Sequence, residues 1–148
     1  MKILRYLLIL LAVLWGCSDD PTPEENPRIE EVENFVTNGK WRIAYFYDSD
    51  EEATEKFADY AFQFLPSGSL VANDGPASVS GTWSVTDRGS SNDDSEELDF
   101  NISFATSPLL NELTEDWEVI LASNTRVELR HVSGRNSGGT DLLTFEKI

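Results

Sequence analysis

The chain predicts an all-β protein: an antiparallel up-and-down β-barrel of about eight strands with a short N-terminal helix. Three observations carry this. From Lys40 onward, apolar and polar residues alternate with period two, the pattern of strands with one buried face. The segments between them are mostly short and rich in Gly, Ser, Asn and Pro, as hairpins require. Nearly every strand has one apolar and one polar face, which suits a sheet curled around its own core. A two-sheet sandwich is the alternative architecture.

Each element follows from local pattern. Ile29, Val32, Phe35 and Val36 recur three or four residues apart, which predicts a short helix able to close one end of the domain. Trp41, Ile43, Tyr45 and Tyr47 then alternate as a first strand. Beyond an acidic loop, Tyr60, Phe62 and Phe64 form a second, and Pro66-Ser67-Gly68 turns the chain into a short strand at Leu70 and Ala72. Val79, Gly81, Trp83 and Val85 alternate with Ser and Thr, and Leu98, Phe100, Ile102 and Phe104 repeat the pattern. Ser107-Pro108 reads as an N-cap followed by proline at the first helical position, opening a short turn that runs to Leu113. Trp117, Val119 and Leu121 begin the next strand. Ser123-Asn124-Thr125 turns it into Val127, Leu129 and His131, and Leu143 with Phe145 mark the last.

Ahead of these elements, Lys2 and Arg5 precede a short apolar run that ends at Leu14-Trp15-Gly16-Cys17. At about 1.5 Å per helical residue the run is too short to cross a bilayer core of about 30 Å. Basic residues, a short apolar run and a small residue before the cut are the secretory pattern. The segment resembles a bacterial lipoprotein signal peptide, with Cys17, the only cysteine, as the lipidated new N-terminus. Ser18-Asp19-Asp20 resembles the acidic signal that one large group of Gram-negative bacteria uses for surface display. The expected organisation is a signal peptide (1–16), a lipidated, acidic, proline-containing tether (17–34) and a barrel domain (35–148). The expected location is the outer membrane, periplasmic or surface-exposed, with the acyl anchor as the only membrane contact.

Charge narrows the partners. The chain holds 27 acidic and 11 basic residues, a formal charge of −16. Loss of Lys2 and Arg5 with the signal leaves nine basic residues and a mature charge of −18. Phosphate backbones and anionic lipid would repel such a chain, so no nucleic acid partner is expected and charge cannot hold it at the membrane.

The order of short motifs resembles the lipocalin-like lipoproteins of Gram-negative bacteria. These motifs are Asn38-Gly39-Lys40-Trp41, Phe62-Gln63-Phe64 with Gly68, Gly81-Thr82-Trp83, Trp117-Glu118-Val119 and the closing Leu143-Thr144-Phe145-Glu146-Lys147. The resemblance implies that Trp41 packs across the closed end of the barrel under a basic side chain, with Arg130 and Lys147 as the candidates.

Eight-stranded barrels either fill with side chains or hold one small ligand. The aromatic interior is therefore either a calyx or simply the core. For a calyx, Tyr45, Tyr47, Tyr60, Phe62, Phe104 and His131, near strand ends, are the candidate ligand-binding residues. His131 is the only histidine, and no nucleophile motif accompanies it, so no catalytic residue is assigned. Asp48, Asp50 and Glu52 have calcium-loop spacing, but Ala53 stands where that loop needs glycine, and Asp93, Asp94, Glu96 and Glu97 form a second acidic cluster. Neither is assigned a metal, and no cofactor is expected. The leading expectation is a non-enzymatic, monomeric, membrane-anchored protein binding a small apolar or amphipathic ligand in the barrel mouth. The alternative is a surface interaction module that binds a protein or glycan through the loops 48–55 and 134–139.

Overall fold

A computed structural model describes residues 27–89, 97–134 and 139–148. Helix α1 (Pro27–Thr37) opens on a proline, and Ile29, Val32 and Val36 fall on its buried side. The Thr37 hydroxyl donates to the Glu33 carbonyl at 2.7 Å, and Gly39 takes a φ of 116° that turns the chain into the sheet. Helix α1 thus includes residues 27–34 of the segment expected to be tether, and its first turn carries the buried Ile29.

Nine strands follow among the described residues: β1 (Trp41–Asp48), β2 (Glu51–Glu52), β3 (Ala61–Phe64), β4 (Ser69–Asn73), β5 (Ser78–Asp87), β6 (Leu98–Ser103), β7 (Glu115–Ala122), β8 (Arg126–Val132) and β9 (Thr140–Lys147). From β3 to β9 each strand pairs antiparallel with the next, and β9 returns to β1 from Trp41↔Lys147 to Tyr47↔Leu142. The result is a closed eight-stranded up-and-down barrel, with β2 as an extra stub. The expected fold class is the observed one.

Both ends are covered. At one end α1 packs on β3 and β5, and the Trp41 indole N–H donates to the Val36 carbonyl at 2.8 Å. Lys147 Nζ lies 5.6 Å from the centroid of that indole, so Lys147 takes the place over Trp41, while Arg130 pairs elsewhere, with Glu118. At the other end β1 and β3 share only the register pair Trp41↔Phe62 and then separate. A strap built on a 3-10 helix (Thr54–Phe57) fills that gap, and its Phe57 ring meets Phe46 edge-on at 5.3 Å. Helix α2 (Pro108–Asn111), capped by Ser107 as its sequence requires, adds the buried Leu110, and Leu113 follows just behind it.

The interior is packed. Phe64 stands near its centre, with edge-on contacts to Trp83 (5.4 Å), Phe100 (5.5 Å) and Phe145 (5.5 Å). A cavity wide enough for water would leave accessible area on the rings that line it, yet Trp41, Phe46, Phe57, Phe62, Phe64, Phe100, Phe104, Trp117 and Phe145 are each less than 2% exposed. Gly81 belongs to this packing: a Cβ there would fall 2.7 Å from the Phe104 ring and 2.4 Å from the Ser103 carbonyl oxygen. Among the described residues no helix is long and apolar enough to cross a membrane.

Candidate functional site

Strict alternation from Trp41 would turn Tyr45 and Tyr47 toward the core. The β1–β9 register shows why it does not. Ile43 pairs with Phe145, but the next partner of Thr144 is Tyr45, so Ala44 is an extra residue, a β-bulge. One added residue exchanges the faces of everything after it. Phe46 goes inside with no exposure, and Tyr45 (37% exposed) and Tyr47 come to the outer surface. Their rings lie 6.5 Å apart and within 7° of parallel. A second bulge at Ile120 does the same in β7, where Val119 pairs with Leu129 and Leu121 with Glu128. Leu121, expected inside, is exposed as a result.

Beside Tyr45 runs a chain of four charged groups. Arg42 donates to Glu146 at 3.0 Å, Arg126 donates to the other oxygen of Glu146 at 2.5 Å, and its Nε donates to Glu128 at 2.6 Å. The register makes this chain: Arg42, Glu146 and Arg126 occupy one outward row across β1, β9 and β8. The hydrogen bond to Glu128, with Glu146 close by, raises the pKa of the Arg126 guanidinium above its already high ordinary value. Two arginines thus balance two glutamates on a strongly acidic protein. A cleft of about 340 Å³ opens here, lined by Arg42, Tyr45, Thr54, Glu55, Arg126 and Glu146 among others.

The remaining candidate residues do not gather there. Phe62 and Phe104 are fully buried and belong to the core. Tyr60 is half-buried beneath the strap, tilted against Phe57 (6.5 Å) and Phe62 (6.2 Å). His131 is half-buried at the rim of the strap end, beside Trp117 at 6.2 Å, with Nδ1 3.7 Å from Glu115. The six residues expected to share a mouth therefore divide between core, rim and outer wall, because the bulge at Ala44 turns the two tyrosines out while packing buries Phe62 and Phe104. Sequence reasoning missed Arg42, Arg126, Glu128 and Glu146. Their signal was the alternating charge of Arg126, Glu128 and Arg130 opposite Val127 and Leu129; the partner Glu146 needed the register.

The opposite wall is different in kind. A cleft of about 470 Å³ on β5, β6 and β7 is lined by Thr82, Ser84, Asn101, Ser103, Glu115 and Asp116 among others. Asn101 donates to Ser84 at 3.1 Å and Thr86 at 3.0 Å, so part of its polar surface is already used. Of the acidic loops, Asp48 and Glu51 pair in the β1–β2 hairpin and Glu52 accepts from the Thr54 amide at 3.2 Å. Among the described residues no three His, Cys, Asp or Glu side chains are placed to hold a metal ion. Cys17, the segment expected to be a signal peptide, Asp93, Asp94, Glu96 and residues 135–138 of the last loop lie outside the described residues. No protein-family model matches the chain, and no curated protein matches it.

Proposed function

We propose that this protein is a non-enzymatic, lipid-anchored, lipocalin-like module of the outer membrane that works through the outer wall of its barrel, contacting a glycan or a protein there. One observation carries the choice of wall over mouth: nine interior rings are packed to less than 2% exposure, whereas Tyr45 is turned outward on the lining of an open cleft. The order Lys2, Arg5, apolar run, Gly16, Cys17 supports the anchor, and the net charge of −16 leaves acylation rather than charge to hold the chain at the membrane.

Two measurements test this. Metabolic labelling with an alkyne fatty acid tags the wild type at Cys17, and Cys17→Ser removes both the label and the membrane association; a labelled Cys17→Ser protein overturns the anchor. Titration of the purified full chain with palmitate, followed by tryptophan fluorescence, gives no saturable change. Saturable binding retained in a Tyr45→Ala/Tyr47→Ala double variant assigns function to the interior instead.

A further inference from the structure

We propose that the cleft beside Tyr45 is a saccharide-binding site, taking a neutral pyranose with its C–H face on the Tyr45 ring and its vicinal hydroxyls on Arg42, Arg126 and Glu146. This rests on the outer-wall reading above and names the ligand class of that site.

Four features of the cleft fit this class. The first is the ring. A tyrosine held on a strand offers a flat apolar face at small entropic cost, and the bulge at Ala44 presents Tyr45 to solvent instead of the core. Tyr47, nearly parallel at 6.5 Å, stacks beside Tyr45 and supports its orientation. The second is the set of unused donors. Arg126 spends Nε on Glu128 and Nη1 on Glu146, and Arg42 spends Nη2 on Glu146. Among the described residues, Nη2 of Arg126 and Nε and Nη1 of Arg42 have no hydrogen-bond partner to compete with a ligand, and each Glu146 oxygen keeps a second lone pair. Vicinal hydroxyls both donate and accept, and they match a carboxylate flanked by two guanidinium groups.

The third feature is rigidity. The glutamates hold both arginines in place before any ligand arrives, so little side-chain freedom is lost on binding. The heads stay accessible, at 58% for the Arg42 side chain, 42% for Arg126 and 32% for Glu146. The fourth is charge. The guanidinium groups are already neutralised by Glu128 and Glu146, Glu55 adds a further carboxylate to the lining, and the chain carries −16, all of which disfavour an anion. At about 340 Å³ the cleft falls within the roughly 300–1,000 Å³ of small-ligand sites.

The test is calorimetric titration of the purified full chain with four neutral oligosaccharides: cellohexaose, xylohexaose, mannohexaose and maltohexaose. Saturable binding of at least one is expected below ~10 mM. Tyr45→Ala and Arg126→Gln each weaken it at least ~tenfold, Tyr45→Phe stays within ~threefold because the ring remains, and all three keep the wild-type circular dichroism. Absence of binding across the panel overturns the saccharide, as does binding that Tyr45→Ala leaves unchanged. A protein partner lost in Tyr45→Ala while no sugar binds also overturns it, yet keeps the outer wall as the working surface.

Discussion

Phe64 shows how much of this barrel depends on single rings. It touches aromatic side chains from β5, β6 and β9 at once, so it joins walls that share no direct hydrogen bond with β3. Phe64→Ala removes that bridge, and the strands around it are held by their own ladders and can collapse only in part. The expected cost is about 3–5 kcal/mol, read from the midpoint of urea unfolding with the slope unchanged. If the interior were a ligand cavity, the same substitution would merely enlarge it and cost far less. Lys147 illustrates the reverse case, a residue near the surface with a defined inner role: its stem lies along Gly39 and its ammonium group over Trp41.

Among the elements, the β1–β2 hairpin holds the clearest local conflict. Ser49 and Asp50 both adopt positive φ, 52° and 66°, in a two-residue turn, where Asn-Gly is the favoured pair. Replacing Ser49-Asp50 with Asn-Gly relieves about 1 kcal/mol and raises the thermal midpoint, because the Ser49 contact to Asp141 is made by its backbone N–H and survives the change. A fall in the midpoint would mean that the strap is anchored differently.

The elements were also the level at which the sequence was most and least readable. Period-two runs located the barrel strands, and Ser107-Pro108 and Pro66-Ser67-Gly68 announced their cap and turn. The bulges were invisible, since neither Ala44 nor Ile120 differs in kind from its neighbours. Only pairing to β9 and β8 reveals the extra residue, and everything beyond it then changes face. For that reason strict alternation places Tyr45 and Tyr47 on the inner face, although both point outward. The strap carried no periodic signal at all, and its short 3-10 helix is defined by what Phe57 fills.

For the whole molecule, charge sets the conditions of stability. A formal charge of −16 on a chain of 148 residues repels itself most when compact. Raising salt from ~10 mM to ~500 mM shortens the Debye length from about 30 Å to under 8 Å, so the thermal midpoint should rise. A midpoint that falls instead would show that the ion pairs among Arg42, Arg126, Glu128 and Glu146 outweigh the repulsion.

The pairing of β1 with β9 also governs when folding can finish. The first barrel strand depends on the last for most of its hydrogen bonds, since its contact with β3 is a single register pair. A chain made or passed through a pore N-terminus first holds Trp41–Asp48 without its main partner until Thr140–Lys147 has followed. Closure is therefore a late, long-range event that waits for β9. The seam that seals the cylinder acts as a timer, keeping the barrel open until β9 emerges.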